Sequence, residues 1–136
     1  MRAAPTHRTT VLVIEDDPWT RTMEAALLVE EGYAVAEAKN GDEGLRLVAQ
    51  LNPDVILLDL ALPTTSGLDV LRELKGNPST RHIPVLVVSA YGDLMRTSDA
   101  HQSDGVLQKP FDCDDLLARV SRVTLEKPAR TVTVHP

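Results

Sequence analysis

The sequence predicts a doubly wound α/β fold, a parallel five-stranded sheet with helices on both faces. Short and almost unbroken apolar runs at residues 11–14, 55–58 and 85–88 fit strands that are buried on both sides. Segments with helical apolar spacing separate them, as strand–helix–strand crossovers require. Polar residues close the runs, at Glu15-Asp16, Asp59 and Ser89. In open parallel sheets the working crevice lies just beyond the carboxyl ends of the strands.

The elements follow in order. Residues 11–14 form a buried strand, and Asp17-Pro18 opens a helix with an N-cap acid and a proline at the first helical position. Trp19, Met23, Ala26 and Leu27 are expected on its inward face. Gly32 ends that helix. A weaker strand spans 34–38, then a helix spans 41–50 with Leu45, Val48 and Ala49 inward. Asn52-Pro53 punctuates before the strand at 54–59. The turn Pro63-Thr64-Thr65-Ser66-Gly67 leads to a helix carrying Leu68, Leu71 and Leu74. Residues 84–89 form the fourth strand. The most polar helix is expected over 93–103, with Leu94, Met95 and Ala100 as its main apolar residues. A short strand at 105–108 passes through Lys109-Pro110 into a last helix, capped by Asp112, with Leu116, Leu117, Val120 and Val123 inward.

The chain has 136 residues, enough for one domain that buries roughly 68% of its unfolded surface without a metal or disulfide staple. We read 9–125 as that domain, with tails at 1–8 and 126–136. Cys113 is the sole cysteine, residues 1–8 lack an apolar signal segment, and no run is long enough to span a membrane. These features predict a cytoplasmic location and no membrane partner. The net charge of -6 disfavours nucleic acid as a partner. His7, His82, His101 and His135 are dispersed without ligand spacing and read as surface residues.

With the flavodoxin-like strand order 2-1-3-4-5, the site falls between strands one and three. Glu15, Asp16 and Asp59 then meet at one edge, with Ser89 ending strand four and Lys109 ending strand five. Three neighbouring carboxylates repel one another unless a cation binds or a proton is retained, and hard oxygen ligands favour Mg²⁺. Asp17, beside Pro18, is better read as a helix cap.

These residues resemble a known family, the receiver domain of bacterial response regulators in two-component signalling. The likeness covers about residues 9–125. It rests on Val-Leu-Val-Ile-Glu-Asp-Asp-Pro at 11–18, Leu-Leu-Asp-Leu-Ala-Leu-Pro at 57–63 with Gly67, Val-Val-Ser-Ala at 87–90, and Lys-Pro-Phe at 109–111. The resemblance implies that Asp59 is the phosphoacceptor, Asp16 a direct Mg²⁺ ligand and Glu15 a ligand through water. The Ala61 carbonyl would complete the protein's share of the metal shell, and Mn²⁺ would be an acceptable substitute. Lys109 and Ser89 would contact the phosphoryl group, and Lys109-Pro110 would be a cis peptide. The implied partners are a sensor histidine kinase or phosphotransfer protein, docking near the first helix, and a downstream protein at the face of helix four, strand five and helix five. The chain would catalyse only its own phosphorylation and dephosphorylation.

Two departures from the family pattern bear on switching. The position three residues before the lysine usually holds an aromatic, and here it is Val106, so signalling is expected through backbone and helix-four movement rather than a rotating ring. Ala61 cannot orient hydrolytic water and Tyr91 would shield the phosphoryl group, which implies a fairly long-lived aspartyl phosphate. The short sequence after Val123 suggests a stand-alone regulator; a phosphorelay intermediate and a receiver cut from a larger regulator or hybrid kinase are the alternatives. Other classes fit less well. A flavin module would need glycine and hydroxyl donors where Glu15-Asp16-Asp17 stands, and a phosphatase with an aspartyl nucleophile would need a different spacing of acids after strand one. A degenerate receiver acting as a scaffold is disfavoured by the intact acid pair, Asp59, Ser89 and Lys109.

Overall fold

The computed structural model describes residues 8–90 and 102–125. Its elements run β1 (Thr10–Ile14), α1 (Pro18–Glu30), β2 (Ala34–Ala38), α2 (Gly41–Leu51), β3 (Val55–Asp59), α3 (Gly67–Gly76), β4 (Val85–Ser89), β5 (Gly105–Gln108) and α4 (Cys113–Leu125). The helix expected over 93–103 lies outside the described residues. All four strand pairings are parallel, in the order β2-β1-β3-β4-β5. The predicted order is therefore observed.

Alternation along the strands divides the core into two layers. Leu12, Ile14, Ile56, Leu58, Val85 and Val87 point to one face, where Val48 of α2 and Val70, Leu71 and Leu74 of α3 cover them. Val11, Val13, Val55, Leu57, Leu86 and Val88 point to the other, beneath Leu28 of α1 and Leu116, Val120 and Val123 of α4. Both faces are dry, which explains the near-continuous apolar strands.

Local chemistry starts and stops the helices. Asp17 accepts from the Thr20 amide at 2.9 Å, and Pro18 occupies the first turn of α1. Gly32, at φ 100°, turns the chain out of that helix with a conformation that costs glycine little. Asn40, Ser66 and Asp112 cap α2, α3 and α4 by accepting from the amides of Glu43, Asp69 and Asp115.

Two helix faces differ from the sequence expectation. On α1, Trp19 is 82% exposed, Met23 is 39% exposed and Ala26 is also outside, while Glu24, Ala25 and Leu28 are buried. Apolar residues surround this helix, so their spacing does not select one stripe, and the inward position at 24 holds a charge-bearing residue. On α2, Val48 is buried and Leu45 half-buried, but Ala49 is exposed. Gly44 takes the inner position because a Cβ there would stand 2.5 Å from Ile14 Cδ1.

Candidate functional site

The strand register brings the polar strand ends together. Ile14 pairs with Leu58, so Glu15 and Asp59 follow as neighbours at the ends of β1 and β3. The ladder holds them at one level: the Glu15 amide donates to the Ala38 carbonyl at 3.0 Å, and the Leu60 amide to that of Val88 at 3.0 Å. Lys109 enters just after β5, its amide donating to the Ser89 carbonyl at 2.8 Å, and its peptide bond to Pro110 is cis. Gly67 packs directly behind Asp59. A Cβ at that glycine would stand 2.4 Å from the Asp59 carbonyl oxygen and from Leu60 Cα, so the α3 entry can approach β3 only without a side chain.

One carboxylate oxygen from each of Glu15, Asp16 and Asp59 lies within 4.8 Å of the others. Glu15 and Asp59 are buried, at 2% and 4% exposure, and Asp16 is exposed. Lys109 Nζ reaches in to 3.1 Å from Glu15 Oε1 and 3.6 Å from Asp59 Oδ2. The other Asp59 oxygen, Oδ1, accepts from the Ala61 amide at 3.1 Å. Glu15 Oε2 accepts from the Asp17 amide at 3.2 Å.

Among the described residues, three carboxylates, two of them buried, meet one ammonium and leave an excess of negative charge. Burial first, and then the neighbouring Asp59, push the Glu15 carboxyl up to about 7, although Lys109 acts in the opposite direction. Burial works against the Lys109 charge, yet its contacts with Glu15 and Asp59 outweigh this and hold it above the usual lysine value. The donor set is all oxygen, compact and underneutralised, which suits a small hard divalent cation.

Most of the residues singled out in the sequence converge here. Ser89 is buried at the end of β4, one residue beyond the Val88 that pairs with Asp59. Ala61 flanks Asp59 through its amide. Val106 is half-buried in β5 and pairs with Val87 of β4, the strand that separates it from β3 and the acid cluster. Tyr91 lies outside the described residues. Asp17 is the helix cap that the sequence indicated, its carboxyl held below the usual range by Thr20. Two nearby residues gave no sequence signal. Arg21 donates to the Glu15 carbonyl at 2.9 Å and lies 3.4 Å from Glu37, fixing the loop after β1. Glu24 is buried within α1 on the side of the site.

A doubly wound sheet with an acid cluster and a lysine at its carboxyl edge defines a recognisable class of signalling module. The model of the response regulator receiver domain matches residues 11–121, and the chain belongs to that family. It is 39% identical over 112 residues to the DNA-binding dual master transcriptional regulator RpaA of Synechocystis, covering 81% of this chain and 46% of RpaA. It is 42% identical over 115 residues to the transcriptional regulatory protein KdpE of Mycobacterium tuberculosis, covering 82% of this chain and 49% of KdpE. The chain thus spans about half the length of these relatives. Among solved structures it resembles the chemotaxis response regulator CheY4 of Vibrio cholerae, with a TM-score of 0.79 and 26% identity over 86% of this chain and 99% of that one. It also resembles the response regulator TrrA of Thermotoga maritima, solved with Mg²⁺ and BeF, with a TM-score of 0.79 and 29% identity over 85% of this chain and 98% of that one. No helix among the described residues is long and apolar enough to cross a membrane.

Proposed function

We propose that this chain receives a phosphoryl group on Asp59 from a histidine kinase or phosphotransfer protein and signals through a protein contact. The observation that carries this reading is the placement of the Asp59 carboxylate, buried, 3.6 Å from Lys109 Nζ and inside the acid cluster. Asp59 Oδ2 attacks phosphorus; the new bond is O–P, and the bond that breaks joins phosphorus to the kinase histidine nitrogen, or to the acyl oxygen of a small donor. Phosphoryl transfer asks a protein mainly to position groups and neutralise charge on the equatorial oxygens. Lys109 supplies a fixed cation for one of them, and the hydroxyl of Ser89, buried at the end of β4, would donate to another once Asp59 is modified. Glu15, Asp16, Asp59 and the Ala61 carbonyl are the groups that would hold Mg²⁺, which when bound neutralises further phosphoryl charge. The protein is its own substrate and turns over no external phosphomonoester.

The kinase is assigned to the α1 side of the acid cluster. The output is assigned to the edge of the sheet formed by β5 and α4, with onward relay of the phosphoryl group as the second route. Val106 in β5 makes backbone movement, rather than a rotating aromatic, the means of transmission. Intact-mass analysis after incubation with acetyl phosphate and Mg²⁺ tests the reading. One added phosphoryl group is expected, absent with EDTA and absent in Asp59→Asn. Labelling that persisted in Asp59→Asn would overturn the assignment.

A further inference from the structure

β1 ends at Ile14 and α1 begins at Pro18, so Glu15, Asp16 and Asp17 form a three-residue junction between strand and helix. A single residue donates to all three of its carbonyls. Arg21 Nη1 donates to the Glu15 carbonyl at 2.9 Å and to that of Asp16 at 3.4 Å, while the Arg21 amide donates to the Asp17 carbonyl at 2.9 Å. Its Nε lies 3.4 Å from Glu37 Oε1, an acid of β2. With only 19% of its side chain exposed, the arginine lies across the junction instead of extending into water. Two of the three carbonyls belong to residues whose carboxylates, with that of Asp59, make up the acid cluster. A guanidinium bonded to the backbone of these residues opposes a nearby cation by charge alone. Glu37 offsets part of that charge, and the rigid fork of donors is directed at backbone oxygens. Fixing a peptide plane also fixes the direction in which the adjoining side chains leave the backbone, so Arg21 restrains how Glu15 and Asp16 present their carboxylates.

The geometry points to Arg21 as a positioning residue for the divalent cation: it holds the junction in the shape that offers Glu15 and Asp16 to a small ion, and Glu37 makes its charge tolerable there. The inference rests on the reading of Glu15, Asp16 and Asp59 as the groups that hold Mg²⁺. Mg²⁺ demands near-ideal octahedral geometry, whereas Ca²⁺ accepts variable coordination. Loosening the junction therefore weakens Mg²⁺ binding more than Ca²⁺ binding. Removal of charge alone has the opposite sign, since a site without the arginine would attract either ion more strongly.

Isothermal titration calorimetry of Mg²⁺ and of Ca²⁺ into the full chain tests this, with wild type, Arg21→Ala, Arg21→Lys and Lys75→Ala compared. Arg21→Ala is expected to bind Mg²⁺ about tenfold more weakly, the usual effect of losing a group that orients metal ligands, and to lose a smaller factor for Ca²⁺. Arg21→Lys keeps the charge without the fork and should recover part of the affinity; it also carries the comparison if alanine unfolds the chain. Lys75→Ala removes contacts to Arg81, Ile83 and Asp104 at the other end of the sheet, controls for lost stability, and should keep wild-type affinity. Unchanged or tighter Mg²⁺ binding in every folded Arg21 variant, an equal loss for both ions, or an equal loss in Lys75→Ala would overturn the proposal. Hydrogen exchange of the Asp17 amide, which donates to Glu15 Oε2 at 3.2 Å, reads the junction without any cation. Faster exchange in the Arg21 variants than in Lys75→Ala supports the positioning role, and equal exchange refutes it. A wild type that bound no Mg²⁺ would instead overturn the reading of the acid cluster as a metal site, leaving the Asp17 amide to decide on Arg21.

Discussion

The two ends of the sheet use carboxylates in opposite ways. At the amino end, Asp54 Oδ2 accepts from the Thr10 amide at 2.8 Å, and Asp104 Oδ2 accepts from the Val85 amide at 2.8 Å while Lys75 Nζ sits 2.9 Å away. Lys75 also donates to the carbonyls of Arg81 and Ile83, at 3.1 and 2.8 Å. Each acid there satisfies a backbone group at a strand start that would otherwise lack a partner, so it stabilises the sheet. At the carboxyl end, Glu15, Asp16 and Asp59 crowd one another with a single ammonium among them. At one edge each acid is paired with the backbone; the other holds charge in excess, suited to a cation and a phosphoryl group.

Substitutions at the two ends should therefore separate stability from chemistry. The largest effect is expected from Asp59→Asn, which removes phosphoryl labelling completely while leaving the fold intact by circular dichroism. Next comes Asp104→Asn at the amino end, which keeps an acceptor for the Val85 amide but loses the charge, and should lower unfolding stability in urea by about 1 kcal/mol, the difference between a hydrogen bond to a charged and to a neutral acceptor, while leaving the labelling rate unchanged. The contrast between the two ends breaks if Asp104→Asn slows labelling while stability is retained. Saturating Mg²⁺ sharpens it: at about 100 times its dissociation constant a cation that binds only the folded chain adds about 2.7 kcal/mol, and Asp59→Asn should lose much of that gain while Asp104→Asn keeps it.

The difference between the ends also explains what could be read from the sequence. Glu15-Asp16 and Asp59 each interrupt an apolar run, so both the strand and its functional terminus are visible in one short segment. Asp104 has no such signal, because its partners, Val85 and Lys75, are distant in sequence and meet it only through the β4–β5 pairing. The face of α1 is hidden in the sequence for a related reason. Met23, Ala25, Ala26, Leu27, Leu28 and Val29 leave no clear polar stripe, and the buried position at 24 carries the residue type least expected inside. Glu24 becomes visible only when the helix is placed on the sheet. Gly44 is similar, since a small residue on α2 gains meaning from Ile14 beneath it.

The last effect concerns pH and falls on the carboxyl end. Glu15 and Glu24 rise from an ordinary value of 4.5 to about 7 and about 8 in the folded chain, with burial the largest cause in both. Between those limits the native state binds more protons than the unfolded state, so stability falls as the pH rises. Their favourable contribution is complete below 4.5 and is lost as the pH passes through 7 and then 8. The slope for each proton is at most about 1.4 kcal/mol per pH unit. Urea unfolding at closely spaced pH values without Mg²⁺ should show this decline, and Glu24→Leu should lessen its slope between 4.5 and 7 and remove it between 7 and 8. Mg²⁺ should flatten the part due to Glu15, because a bound cation favours the ionised carboxyl and offsets the repulsion that raises it. A stability profile that stayed level from pH 5 to 8, with or without Mg²⁺, would mean that Lys109 alone neutralises the cluster and that the two ends of the sheet are electrostatically alike.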